Sequence, residues 1–235
     1  MTAGKREQHQ LILAVNLRDD ATFANYLVPP SVKPLVDSLR GQSLDTGEAQ
    51  LFVWGNSGSG KSHLLQASCQ DAEGEALYLP LAEFAEADPV DILQGMEALQ
   101  RVCLDDLQAV AGDDAWELAL FNLINRARES GCRLVFAATA APRALPVTLP
   151  DLQSRLGWGA VFQLPRLGDA DKLAILQFRA ARRGLAMPDG VARYIISRAP
   201  RQMGELLALL DRLDQASLAQ KRAVSRPFVK EVLGW

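Results

Sequence analysis

Residues 51–62 have the sequence LFVWGNSGSGKS, in which an apolar run leads directly into the pattern G-x-x-x-x-G-K-S. The apolar run predicts a buried strand, and the residues from His63 onward predict a helix. Glycines between them let successive backbone N–H groups turn toward phosphate oxygens, and the helix adds the positive end of its dipole. An ordinary glycine-rich turn is the alternative, but the strand–loop–helix context favours a phosphate loop. We therefore expect a bound nucleoside diphosphate or triphosphate, such as ADP or ATP.

The side chains of this loop have distinct expected roles. Lys61 is expected to reach the terminal phosphates, and the Ser62 hydroxyl is expected to bind Mg²⁺. The other residues expected to contact the nucleotide are Gly55, Asn56, Ser57, Gly58, Ser59, Gly60 and His63. Because a phosphate loop does not contact the base, its sequence leaves the identity of the base open.

A pair of acids follows a second apolar run, at residues 101–104. A carboxylate at the end of a buried strand beside the phosphate loop can hold a Mg²⁺-bound water, and Asp105 suits this role. Asp106 stands where a catalytic base would orient the attacking water. The alternative is a solvated acidic end of a strand.

Composition narrows the class of protein. With 235 residues, of which 49% are hydrophobic, the chain can bury the core of one large domain or two smaller ones. A net charge of −3 provides no overall basic field for nucleic acid. The three cysteines lie in apolar or helical segments, so we expect reduced core thiols. No run approaches the length needed to span a bilayer, so we expect a soluble cytoplasmic protein with no membrane partner.

Apolar strands alternate with helical patterns up to about residue 164. The predicted strands are residues 51–54, 76–79, 101–104, 134–138 and 160–163. One helical pattern precedes the first strand, at 32–40, and others lie between the strands, for example at 116–128. Short apolar strands separated by helices predict a parallel five-stranded sheet with helices on both faces.

The pattern changes after residue 165, where only helices are predicted. They cover residues 169–183, 188–198, 201–220 and 227–233. The predicted fold is therefore an α/β nucleotide-binding domain followed by a small all-helical lid domain. The expected divisions are a flexible N-terminal segment at 1–19, the α/β domain at 20–164 and the lid at 165–235.

Several positions beyond the phosphate loop resemble those of the AAA+ ATPases. Thr139, at the end of the fourth predicted strand, is similar to the sensor 1 residue of that family. Arg155 lies in a segment that resembles the arginine-finger segment, and Arg201 falls at the sensor 2 position, where a guanidinium can contact phosphate. Each of these residues alone would be interpreted as a surface arginine or a core threonine, so their order and spacing carry the resemblance.

Within that family, the chain resembles the bacterial replication initiator DnaA and, more closely, its short regulatory relatives. The resemblance covers nearly the whole chain and rests mainly on residues 20–24, 149–159 and 227–233. It implies a nucleotide-bound regulator that binds the polymerase sliding clamp and stimulates ATP hydrolysis by DnaA, which prevents re-initiation. Arg155 would then act across a protein–protein interface, and a pairing of Arg155 with Asp151 is the alternative.

The N-terminal segment contains an apolar island at residues 10–15. The resemblance implies that this island docks into the clamp, with Gln10 as an amide anchor and three apolar side chains as plugs. These side chains are Leu11, Leu13 and Val15. On the residues alone, an edge strand or a staple on the core is the alternative. Contact with DNA is expected to be mostly indirect, through the clamp, and an AAA+ arrangement is compatible with self-association.

Two positions depart from the family pattern. Asp106 is one methylene shorter than the usual glutamate, and Thr139 replaces an acidic residue expected in close relatives. We therefore expect tight nucleotide binding with slow intrinsic hydrolysis. Most arginines of the lid predict a solvated helix face, with DNA contact as the alternative; they are residues 179, 182, 183, 193, 198 and 201.

Two other functions compete with the clamp-bound regulator. One is a self-contained ATPase that remodels a nucleoprotein complex, which would need robust turnover by the chain alone. The other is a DNA-binding initiator paralogue. No helix-turn-helix pattern follows the lid in this sequence, which argues against the paralogue.

Overall fold

A parallel sheet of five strands organises the first part of this computed structural model, which describes residues 17–44, 46–200 and 202–235. The strands are Gln50–Trp54 (β1), Ala76–Pro80 (β2), Arg101–Asp105 (β3), Arg133–Ala138 (β4) and Ala160–Gln163 (β5). They lie in the order β2-β3-β4-β1-β5. The five predicted strands are confirmed, each to within one residue at either end.

Helices surround the sheet and then form a layer of their own. Around the sheet lie Lys33–Gly41 (α1), Lys61–Gln70 (α2), Pro89–Leu93 (α3), Asp114–Ser130 (α4) and Pro150–Leu156 (α5). The C-terminal helices are Asp169–Arg182 (α6), Asp189–Arg198 (α7), Met203–Gln220 (α8) and Arg226–Leu233 (α9). The sequence patterns do not predict α3 and α5 as helices, because five and seven residues are too few to show a helical period.

The central strands are buried on both faces of the sheet. Phe52 and Phe136 stack on one face, with ring centroids 6.4 Å apart, and pack with residues of α4. Leu51 and Val53 point to the other face and pack with residues of α1 and α2. Burial on both faces is typical of parallel sheets, and it explains why these strands are apolar runs rather than alternating patterns.

The C-terminal helices have a separate apolar core. Leu206, Leu210 and Leu213 lie along one face of α8 and pack with Ile195 of α7 and Phe228 of α9. All five side chains are buried. This arrangement agrees with the predicted all-helical lid.

Two expectations from composition can be compared with the structure. Cys69, Cys103 and Cys132 are buried free thiols, in agreement with their prediction as core residues. Within the described part of the chain, no helix is both long and apolar enough to cross a membrane.

A buried carboxylate joins α4 to the start of α5. Glu117 is fully buried in α4 and accepts hydrogen bonds from the N–H groups of Thr148 and Leu149, at 3.0 and 2.7 Å. It also accepts one from the N–H of Gly112, at 2.7 Å, in the loop that precedes α4. Burial alone would raise the pKa of Glu117, but the N–H groups outweigh it and hold the pKa below its ordinary value. The ionised carboxylate therefore stabilises the approach of α5 to α4.

We expect Glu117→Gln to lower the free energy of unfolding at pH 7 by about 1 to 3 kcal/mol, because an amide cannot satisfy all of these N–H donors. Since the folded pKa is depressed, the stabilisation is present above the ordinary pKa of 4.5 and is lost as the pH falls through the folded value. Chemical denaturation between pH 7 and 3 should thus show a weaker pH dependence for the variant. Glu129→Gln, at an exposed position of the same helix, is the control, and an equal loss in both variants would contradict the assignment.

Candidate functional site

The loop after β1 has the backbone shape that its glycines predict. Gly60 has a φ of +100°, and a methyl group there would lie 3.0 Å from the ring of Tyr26. A methyl group on Gly55 would lie 2.8 Å from the carbonyl oxygen of Leu164, the residue that follows β5. Side chains are therefore excluded from both ends of the loop by contacts with neighbouring segments.

Lys61 lies at the first position of α2 and folds back over the loop. Its side chain is buried and its Nζ donates to the carbonyl oxygens of Gly55 and Asn56, at 2.8 and 3.0 Å. Burial lowers the pKa of Lys61, against the opposing effect of the charges of Asp105 and Asp106. The amine is thus held at the mouth of the loop by weak carbonyl partners that a phosphate can replace.

Ser59 provides an independent test of whether the loop fits a phosphate group. Its hydroxyl is buried and has no hydrogen-bond partner within the described residues. A buried hydroxyl without a partner is costly, and phosphate oxygens are strong acceptors for such a group. The residues of the loop therefore fit a bound nucleotide.

The two predicted Mg²⁺ ligands meet around a tyrosine that the sequence analysis did not identify. The hydroxyl of Tyr78, the central residue of β2, donates to Oδ2 of Asp105 at 2.8 Å. The Ser62 side chain lies close to the same hydroxyl. Burial, followed by the charge of Asp105, raises the pKa of Tyr78. Asp105 keeps free lone pairs for a metal-bound water, since a carboxylate can accept about four hydrogen bonds.

Asp106 is linked to Thr139 through a glutamine. Asp106 adopts a left-handed conformation with φ of +54°, and its Oδ1 accepts a hydrogen bond from Nε2 of Gln108 at 2.9 Å. Oε1 of Gln108 accepts the N–H of Thr139 at 3.0 Å. The predicted catalytic base and the predicted sensor 1 residue are therefore neighbours, and Gln108 was missed because nothing in the sequence pattern distinguishes it.

Arg155 lies at the other end of β1 from the phosphate loop. Its carbonyl oxygen accepts a hydrogen bond at 2.8 Å from Nε2 of Gln50, the first residue of β1. Because a strand rises about 3.3 Å per residue, Gly55 lies about 16 Å beyond Gln50. In the described structure the Arg155 guanidinium stacks over aromatic rings rather than pairing with Asp151.

His63 contacts the segment before α1 instead of facing the loop. Its Nε2 lies 2.8 Å from the carbonyl oxygen of Thr22, and its ring centroid lies 5.5 Å from that of Tyr26. Burial lowers the pKa of His63. The side chain thus fastens residues 17–26 to α2, and only the His63 backbone remains available for the predicted contact with the nucleotide.

Several predicted site residues lie outside the described part of the chain. They are Gln10, Leu11, Leu13, Val15 and Arg201. The residues after Arg201 are described, and a methyl group on Gly58 would lie 3.6 Å from the backbone nitrogen of Met203. The start of α8 therefore lies beside the phosphate loop.

Arg179 is an exception to the solvated face that is expected for most of the lid arginines. Its side chain is only 4% exposed, and it forms an ion pair with Asp20 and donates to the carbonyl oxygen of Asn25 at 3.1 Å. The segment before α1 is held on its other side by α2, since Gln66 Oε1 accepts the N–H of Arg18 at 2.9 Å. Residues 17–26 (the linker) therefore connect the lid to the helix of the phosphate loop.

The other lid arginines agree better with the prediction. Arg182, Arg193 and Arg198 are exposed, and Arg183 is half-buried beside Asp211, at 2.5 Å. The three exposed arginines place basic side chains on the surface of the lid.

The strand order and the placement of loop, acids and lid define the class: this is a P-loop protein of the AAA+ type. The chain belongs to the bacterial DnaA ATPase domain family, whose family model matches residues 20–163. Residues 169–233 match the family model of the Hda lid domain. The molecule is therefore an Hda-like, DnaA-related AAA+ protein.

Solved structures support the same fold. Domain III of DnaA from Thermotoga maritima aligns with a TM-score of 0.77 at 20% identity, over 93% of this chain and 98% of that one. DnaA from Aquifex aeolicus, determined with bound AMPPCP, aligns with a TM-score of 0.70 at 19% identity, over 83% of this chain and 65% of that one. The RuvB branch-migration motor of Thermotoga maritima gives 0.67 at 15% identity, over 91% of this chain and 71% of that one.

We expect Arg179→Leu to loosen the attachment of the lid, because it removes a buried ion pair and a hydrogen bond to the linker. The loss should be about 1.5 to 3 kcal/mol, typical of hydrogen bonds to charged groups. Amide hydrogen exchange should show faster exchange in α6 and in residues 17–26. Arg193→Leu is the control, since Arg193 makes only an exposed pair with Asp189 within α7. Unchanged exchange in the Arg179 variant would show that the lid is held by its other contacts.

Proposed function

We propose that this chain is a nucleotide-bound regulator of DNA replication initiation that stimulates ATP hydrolysis by DnaA and so prevents re-initiation. The observation that carries the proposal is the position of Arg155. It lies about 16 Å along β1 from the chain's own phosphate loop, so its guanidinium is separated from a nucleotide in that loop. An arginine on this face is available to a nucleotide held by another AAA+ protein.

The chemistry at such an interface is well suited to arginine. A guanidinium placed on the transferring phosphoryl group stabilises the charge that spreads over its oxygens in the transition state. The recipient supplies the phosphate loop, the metal and the attacking water. Membership in the DnaA family supports DnaA as the recipient, because related AAA+ domains share the surfaces through which they pack.

In this proposal, the chain's own nucleotide is a structural ligand. The backbone of residues 55–60, together with Lys61, would bind the phosphates of ADP or ATP, and Ser62 and Asp105 would hold Mg²⁺. The metal would neutralise phosphate charge. Asp106 is already hydrogen-bonded to Gln108, which favours slow intrinsic hydrolysis.

The same nucleotide would stabilise the closed arrangement of lid and α/β domain. The start of α8 lies beside Gly58, so a ligand in the loop can contact both domains. A ligand that binds only the closed arrangement stabilises it by mass action. Arg201, at the expected sensor 2 position, would add a contact from the lid side.

The proposed partners are DnaA and the polymerase sliding clamp. Clamp binding is assigned to the island at residues 10–15, which precedes the linker in the chain. DNA would be contacted mostly through the clamp, in the cytoplasm, with the exposed arginines of the lid as a secondary surface. Self-association through the AAA+ surfaces is a further part of the proposal.

We expect the wild-type chain to accelerate ATP hydrolysis by DnaA on clamp-loaded DNA, and Arg155→Ala to lose this effect by about 10³-fold or more. The measurement is the rate of phosphate release from ATP-loaded DnaA with and without this protein. Lys33→Ala, at an exposed position of α1 where the side chain pairs only with Asp37, is the control and should stimulate normally. Stimulation that survives in Arg155→Ala would exclude the arginine-finger role. No stimulation, with steady hydrolysis by this chain alone, would favour the self-contained remodelling ATPase.

We expect the double substitution Gln10→Ala and Leu13→Ala to abolish binding to the sliding clamp, because it removes the amide anchor and one apolar plug. Binding can be measured by surface plasmon resonance on immobilised clamp. The control is retained nucleotide affinity and an unchanged melting temperature. Wild-type affinity for the clamp in the double variant would indicate that the island is an edge strand or staple of the fold.

A further inference from the structure

Two aromatic rings contact the guanidinium of Arg155. Its Cζ lies 4.4 Å from the centroid of the Phe121 ring and 4.7 Å from that of the Trp158 ring. Both distances are well inside the range of about 6 Å at which a cation is attracted to the face of a ring. The end of this side chain is therefore held by rings from α4 and from the turn after α5.

Burial does not explain the presence of Trp158. The residue is 52% exposed and is one of the largest apolar side chains on the surface of the described chain. Its ring is instead in contact with two cations, because Cζ of Arg128 also lies 5.2 Å from its centroid. The contacts of this indole are therefore with the guanidinium groups of Arg155 and Arg128 at the surface, rather than with apolar side chains of the core.

The backbone around Trp158 is constrained, which fixes where the indole stands. The N–H of Trp158 donates to the carbonyl oxygen of Arg155 at 3.1 Å, and the same oxygen accepts a hydrogen bond from Nε2 of Gln50. On the other side of Trp158, a methyl group on Gly159 would lie 1.9 Å from the carbonyl oxygen of Gln50. Gly159 is therefore required for the chain to pass close to the start of β1, and it carries Trp158 into position next to Arg155.

A long arginine side chain that is free in solvent must lose its rotational freedom when it enters a reaction site. Stacking on two rings restricts this freedom before the partner arrives, so less is lost when the guanidinium meets the phosphates. Within the described part of the chain no oxygen accepts a hydrogen bond from the Arg155 side chain, so its N–H groups remain available for phosphate oxygens.

We propose that Trp158 is a positioning residue for Arg155: its indole, together with Phe121, holds the guanidinium ready for a nucleotide bound to another AAA+ protein. This inference rests on the proposed function of Arg155. It adds that the maximal rate of the stimulated reaction depends on an exposed ring that does not itself touch the phosphates.

The test compares Trp158→Leu with Trp158→Phe in the DnaA hydrolysis assay, with the concentration of this protein varied to saturation. Trp158→Leu should lower the maximal stimulated rate roughly two- to fivefold, the range expected for loss of one exposed cation–π contact. The concentration at half-saturation should not change. Trp158→Phe should restore most of the rate, because it keeps an aromatic face beside Arg155.

The controls separate this inference from the proposed function. Trp235→Leu makes the same chemical change in the lid, where the ring contacts Tyr194 instead of an arginine of α5, and it should leave the rate unchanged. Arg155→Ala reports on the finger itself. Full activity of Trp158→Leu alongside an inactive Arg155→Ala would overturn the positioning role alone, whereas full activity of Arg155→Ala would overturn both proposals.

A direct readout does not require DnaA. In NMR spectra of the wild-type chain, the δ-methylene protons of Arg155 should be shifted upfield by the neighbouring rings, and Trp158→Leu should move them toward ordinary values while amide shifts of the core stay unchanged. Unmoved Arg155 protons would overturn the stacking. A raised half-saturation concentration at an unchanged maximal rate would instead identify the indole as a contact with the partner, and would also overturn the proposal.

Discussion

The position of β1 between β4 and β5 is the constraint on which both functional regions depend. Leu51, Phe52 and Val53 are completely buried, and from Leu51 onward the strand is paired on both sides. Its carboxyl end releases the chain into the phosphate loop. At its amino end, the backbone of Gln50 lies close to Gly159, and the Gln50 side chain donates a hydrogen bond to the carbonyl oxygen of Arg155. A shift of β1 by one residue would therefore displace both the loop and the finger segment.

A second constraint is the linker at residues 17–26, which connects the lid to the phosphate-loop helix. The linker contacts α2 through His63 and Gln66, and it contacts α6 through Arg179. A change in the angle of the lid must therefore strain or break polar contacts that end on α2. These contacts give a path by which a nucleotide in the loop would influence the attachment of the lid.

The sequence predicted the sheet well because each strand is an apolar run buried on both faces, which leaves little room for other interpretations. It predicted the loop because the glycine positions follow from backbone geometry. It could not predict the buried polar contacts. Arg179 and Glu117 occupy helices in which most charged residues are solvated, and the partner Asp20 lies 159 residues from Arg179 in the chain. Tyr78 was missed for a similar reason, since a tyrosine in the middle of an apolar strand is usually interpreted as part of the core.

The two ends of β1 suit the two proposed tasks, which are to hold one nucleotide and to act on another. At its own loop, the carboxylate of Asp106 is already engaged by Gln108, and the guanidinium that would complete a transition-state site is at the far end of the strand. Binding without rapid turnover is the expected result of that separation. At the far end, the guanidinium of Arg155 contacts two aromatic rings, and its backbone carbonyl is held by Gln50. Among the residues that the structure describes, this end of β1 has no phosphate loop beside it. Neither end of β1 thus carries a complete catalytic site of its own, which is the arrangement expected if Arg155 acts on a nucleotide held by a partner.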